Sequence, residues 1–183
     1  MLTSVGFEDS AAILANVGIG IVNVTMTLMA IYLIDKIGRK PLLIGGLFGM
    51  VASLTILGVA SLLLPEPTGI GPISIITLLC LALFIASFAA TWGPVVWVML
   101  PEVLPLKIRG TAMGFAIILH WLANFTVSLT FPTLLATLGI GLLFLGYALI
   151  GVLALLFVAR LVTETKGRSL EKIESDLREK SVV

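Results

Sequence analysis

The sequence predicts an all-α membrane protein with five transmembrane helices, and three observations carry that reading. First, of its 183 residues 59% are hydrophobic and 11% charged. Soluble domains hold about 25% charged residues, and one of this size cannot bury so much apolar surface, so a bilayer is its solvent. Second, the apolar residues fall into five runs of roughly 20 or more, long enough to cross a hydrocarbon core about 30 Å thick. Third, the eleven Lys and Arg residues follow only the first, third and fifth runs.

The first run, 11–34, is preceded by MLTSVGFEDS. Two acids and no base make a poor signal-peptide n-region, so the run reads as a retained helix. The second, 42–64, follows DKIGRKP, a short turn framed by Gly38 and Pro41. The third, 73–100, follows PEPTGIGP and contains Gly93 and Pro94, where a helix can bend. PEVLPLKIRG then leads to the fourth, 111–136, and a tight turn at Thr137–Gly139 to the fifth, 138–159. From Ser169 the tail alternates charge and predicts a short helix. Gly45 and Gly49 offer a G-x-x-x-G packing face, and Gly139, Gly141, Gly146 and Gly151 thin one side of the fifth run.

An up-and-down path brings the basic connections to one side. The positive-inside rule makes that side cytoplasmic, with the N-terminus outside, the C-terminus inside and the plasma membrane as the location. Lys36 and Lys40 serve as topological anchors, but Asp35 gains nothing from the rule.

Composition also excludes functions. A formal charge of +1 offers no field for nucleic acid. The one cysteine, Cys80, lies in an apolar run and reads as a buried, inert thiol. There is one histidine, no H-E-x-x-H, no G-x-S-x-G and no Asp or Glu inside a run, so intramembrane catalysis is excluded and no cofactor is implied.

Polar side chains inside the spans mark a cavity or helix contacts. Asn16, Asn23, Thr25 and Thr27 lie in the first run, and His120, Asn124, Thr126, Ser128 and Thr130 in the fourth. Asn23, His120 and Asn124 fall near mid-membrane, and His120 and Asn124 share a helix face beside Trp121. Amides beside aromatic rings suit a sugar, whose hydroxyls need donors and acceptors and whose C–H faces need a flat apolar platform. The other reading is hydrogen bonding between helices, which is the expectation for Asn16 and the threonines.

DKIGRKP (35–41), WGPVVW (92–97), PEVLPLKIRG (101–110) and ETKGRSLE (164–171), in this order and each at a helix end, resemble the sugar porter family of the major facilitator superfamily. The chain is most similar to the C-terminal half of its bacterial proton-coupled sugar symporters, the xylose symporters among them. The resemblance implies a twelve-helix porter working by alternating access. The five runs would be its helices eight to twelve, and the missing N-terminal half and first helix of the C-terminal half would be partners, with the lipid bilayer around them. The substrate would be a small-molecule sugar, a pentose or hexose, moved by proton symport. Asn23, Trp97 and Asn124 match positions that contact the sugar or line its cavity, His120 stands where relatives carry Gln or Asn, and Trp121 lines the cavity. Trp92 reads as packing. Arg39 and Glu102 match members of a cytoplasmic salt-bridge gate, which Asp35, Arg109 and Glu164 extend. Val96 replaces the usual second proline of its motif, and Thr163 the proline that opens the tail motif. A porter of a polyol or cyclitol, a non-transporting fragment and a sensor on the same scaffold are the alternatives; a short tail argues against the sensor.

Overall fold

The computed structural model describes residues 9–64 and 71–167. The tail helix expected from Ser169 and most of the PEPTGIGP connection lie outside the described residues. All regular elements within them are helical: α1 (Asp9–Ile37), α2 (Arg39–Leu63), α3 (Pro72–Ala90), α4 (Trp92–Val103) and α5 (Arg109–Leu161).

Helices dominate because hydrocarbon offers no partner for a free backbone N–H or C=O. Most hydroxyls in the spans obey the same demand. Thr25, Thr27, Thr126 and Thr130 donate to the carbonyls of Ile21, Asn23, Leu122 and Thr126, each one turn back in its own helix. The expectation that these threonines join neighbouring helices is therefore corrected: a hydroxyl reaches the carbonyl four residues back without waiting for a partner.

α5 has 53 residues and would run about 80 Å if straight, far beyond one crossing. It is broken at Gly139, where φ is 72° and ψ 170°. Left-handed φ is cheap only without a Cβ. Both ends of α5 return to the same side of the molecule: the Arg109 guanidinium donates to Leu104 O beside Glu102, and Lys40 Nζ donates to Ala159 O. The helix is thus a hairpin of two arms, 109–138 and 140–161, turning on one residue. Among the described residues four helices are long and apolar enough to cross a membrane; counting the arms of α5 separately gives five crossings.

The third apolar run is also divided, but not at Gly93–Pro94. The break falls at Thr91 (φ −137°, ψ −82°) between α3 and α4. Pro94 cannot supply the amide that Ala90 O would accept, and its ring crowds that carbonyl, so the helix fails one turn before the proline. Trp92, at the start of α4, packs against the core and also donates its indole N–H to Leu43 O on α2 at 3.0 Å.

α2 is the central helix, contacting α3 and the second arm of α5. One core cluster joins Ile34, Leu42, Leu43, Leu47, Met50, Val95 and Val158; a second joins Leu57, Cys80 and Phe144. Close approach depends on glycines, although not all those the pattern suggested. A Cβ on Gly46 would strike Thr91, one on Gly49 would strike Ser87, and Gly58 and Gly141 face each other's carbonyls. Gly45 and Gly146 face open space, as does Gly139, whose role is the turn; the packing face on α2 is Gly46 with Gly49. Gly46→Ala is expected to lower stability by about 1–3 kcal/mol, while Gly45→Ala leaves it unchanged or slightly higher. Thermal unfolding of the two purified variants in one detergent checks this.

Candidate functional site

Two constellations stand out. The first lies along the first arm of α5, where His120 and Asn124 fall about 16 and 22 Å from Arg109, in the middle third of a helix arm about 45 Å long. Trp97 on α4 meets His120 edge-on, with ring centroids 5.5 Å apart, and Trp121 flanks the same imidazole at 5.8 Å. Asn124 Nδ2 is 3.2 Å from His120 Nε2 and donates to His120 O at 2.9 Å. The structure therefore brings Trp97, His120, Trp121 and Asn124 together. Asn23, half-buried on α1, makes no hydrogen bond to them among the described residues. Pro101 lies one turn beyond Trp97 inside α4. Its missing amide leaves Trp97 O without its helical donor and loosens the backbone that presents the ring.

This surface is open. Residues 118–130 are all exposed, Trp121 at 65% and Phe125 at 64%. Apolar side chains there suit lipid, but His120 and Asn124 do not. The arrangement can offer hydrogen bonds beside two flat rings to a small polar molecule with apolar faces.

The second constellation is at the charged end. Arg39 Nη2 donates to Glu102 Oε1 at 3.0 Å, and Arg39 Nη1 lies 3.9 Å from Asp35 Oδ1 and donates to Ile34 O. The Arg39 and Glu102 side chains are 14% and 23% exposed, against 84% for Asp35. The Arg39–Glu102 pair is thus shielded from the screening that reduces surface ion pairs to about 0–1 kcal/mol, and the Asp35 contact is not. Arg109 bonds the Leu104 carbonyl and has no acidic partner among the described residues. Sequence reasoning missed Thr165, buried at 4%, whose hydroxyl donates to Glu102 Oε2 at 2.6 Å.

Glu164 takes part through the backbone. Its two oxygens accept the amides of Arg39 and Lys40, each at 3.0 Å, which are the first two of α2, and Oε1 also accepts Lys166 N–H at 2.9 Å. The N-terminus of α2 has no capping side chain of its own, so a carboxylate from 124 residues away in sequence caps it. A Cβ at Gly38 (φ 108°) would come within 2.9 Å of Glu164 Oε2, so only glycine leaves that carboxylate room. Partial burial would raise the Glu164 pKa, but the amides of Lys166, Arg39, Lys40 and Thr165 outweigh it and hold the carboxyl below its usual value.

Such a depressed carboxylate adds stability in full above the ordinary glutamate pKa of about 4.3, and the gain is lost as pH falls through the lowered value. Glu164→Gln is expected to lower the melting temperature at neutral pH and to flatten this acid limb. Melting curves of both proteins between about pH 3 and 7 check it.

What these elements define is a helical membrane bundle of the major facilitator type. The bundle matches the structure of the proton:xylose symporter XylE bound to 6-bromo-6-deoxy-D-glucose with a TM-score of 0.80 at 40% identity, over 93% of this chain and 36% of that one. The family model for sugar (and other) transporters matches residues 1–177, and the chain belongs to that family. It is 47% identical to the glucose transporter GlcP of Staphylococcus epidermidis over 96% of the chain. It is 46% identical to the D-xylose transporter of Levilactobacillus brevis over 99%. The chain spans 39% of the length of each of these two.

Proposed function

We propose that the chain supplies part of the sugar site and the cytoplasmic gate of a transporter that moves a monosaccharide, a pentose or hexose, across the plasma membrane by alternating access with protons. The five crossings correspond to helices eight to twelve of a twelve-helix porter. The basic end faces the cytoplasm, the N-terminus faces outward, and the remaining helices cover the open arm of α5. The observation that carries this reading is the cluster of Trp97, His120, Trp121 and Asn124, deep in a membrane helix and exposed. Asn23 joins the sugar from α1 when the remaining helices are in place. Relatives that move D-xylose and glucose support the substrate class.

At the gate, Arg39 and Glu102 form a latch that Thr165 steadies, with Asp35 and Arg109 at its edge and Glu164 holding the α2 end in place. A few such contacts suffice to bias two states separated by a few kcal/mol.

The test is uptake of radiolabelled D-xylose, D-glucose and myo-inositol by cells producing this chain joined to the remaining helices of the porter. Saturable uptake is expected, and Trp97→Ala or Asn124→Ala raises the half-saturating concentration roughly tenfold. Thr126→Ala changes nothing, because that hydroxyl is already used within its own helix. Arg39→Ala lowers the maximal rate while half-saturation stays within about twofold. Uptake of inositol with no sugar uptake would replace the sugar by a cyclitol; no uptake of any of the three refutes transport of this class.

A further inference from the structure

The contacts of Asn124 fix its orientation. Its Nδ2 lies 2.9 Å from His120 O and 3.2 Å from His120 Nε2. A carbonyl oxygen only accepts, so the amide turns its NH2 group, not its oxygen, toward His120. With Nδ2 donating, Nε2 must accept, and in a neutral imidazole the proton then sits on Nδ1. Both hydrogens on Nδ2 are engaged. Asn124 Oδ1 is left as an open acceptor and His120 Nδ1–H as an open donor, and among the described residues nothing occupies either. A sugar with several hydroxyls can meet them separately, one hydroxyl donating to the first and another accepting from the second, while its ring lies against Trp97 or Trp121.

Protonation of the imidazole removes that arrangement. Nε2 then carries a hydrogen and faces the NH2 of Asn124, two donors against each other. Contact is restored only if the amide turns over, placing Oδ1 on Nε2–H and giving up its bond to His120 O. The open group on Asn124 then changes from an acceptor to a donor. Among the described residues no other ionisable side chain is bonded to His120 to mask this. α4 carries only Glu102, engaged by Arg39 and Thr165, and the first arm of α5 carries otherwise only Arg109, engaged by Leu104 O. Lys107 lies in the connection between them.

Resting on the sugar-transport reading, we propose that His120 and Asn124 form a proton-sensitive selector: neutral, the pair offers a sugar one acceptor and one donor, and protonated it offers donors only. A hydroxyl that must donate loses its partner, so affinity falls on acidification. A glutamine at position 120 has no such switch.

The experiment is equilibrium binding of radiolabelled D-xylose and D-glucose to membranes from cells producing this chain joined to the remaining helices of the porter, with the same pH on both sides. Values of about pH 5.5 and 7.5 bracket the imidazole range. The half-saturating concentration of the wild type is expected to rise roughly three- to tenfold at the lower pH, and that of His120→Gln to stay flat. Binding that is flat with pH in the wild type, or equally pH-dependent in His120→Gln, overturns the selector and leaves the transport reading standing. Binding of neither sugar at either pH overturns both. Nitrogen-15 spectra of the His120 imidazole give a readout that needs no ligand: the Nδ1–H tautomer is expected at pH about 7.5, and the Nε2–H tautomer overturns the pairing.

Discussion

The carboxylate of Glu164 holds the first two amides of α2, and much of the packing depends on that contact. α2 is the helix against which α3 and the second arm of α5 pack. A helix start with two unsatisfied amides is costly at a membrane surface, where water competes poorly with a fixed anion. Because the anion comes from beyond the end of α5, the start of α2 and the exit of α5 are tied together. Lys40 reinforces the tie by reaching Ala159 O, and Lys166 by donating to Lys36 O at the end of α1. Three helix ends are thereby fixed in one plane, and the Arg39–Glu102 pair is held between them.

The two constellations stand in contrast. At the charged end, Lys40, Glu102, Glu164 and Thr165 are engaged, often by backbone. Arg39 is engaged through Nη1 and Nη2, while its Nε is buried without a partner among the described residues. Along the first arm of α5, the hydroxyls of Thr126 and Thr130 are satisfied locally, while His120 and Asn124 keep open positions on an exposed surface. Trp97 links the two regions, because α4 carries it only a few residues from Glu102. The irregular points around α4, the break at Thr91 and Pro101 within it, lie on either side of that ring. One short helix, α4, thus carries both Glu102 of the charged end and Trp97 of the aromatic cluster.

The all-α fold was legible because apolar run length speaks directly to hydrocarbon thickness, and the motif order was legible as family resemblance. Local stereochemistry was less so. The turn at Gly139 was visible as a gap between runs, but the break at Thr91 was displaced from the proline that causes it, because a missing amide is felt one turn upstream. Gly45 and Gly46 differ only in which side of α2 they occupy, and a four-residue spacing rule chose the wrong one. The sequence placed the charges of Arg39, Glu102 and Glu164 at helix ends, yet nothing in it could show that Glu164 binds amides rather than a cation, or that Thr165 reaches Glu102. Those contacts cross 63 and more residues. The grouping of Trp97 with His120 has the same origin, and Asn23 remained apart from it.

The single-residue turn at Gly139 bears on how deep the two arms of α5 can sit. Two membrane crossings joined by one glycine have no polar loop between them to reach into the headgroups. Nor can the backbone at the break be left in hydrocarbon, since the amides and carbonyls around it need water. The break therefore fixes one end of both arms at the wet edge of the bilayer, opposite the charged end where Arg109 and Ala159 lie.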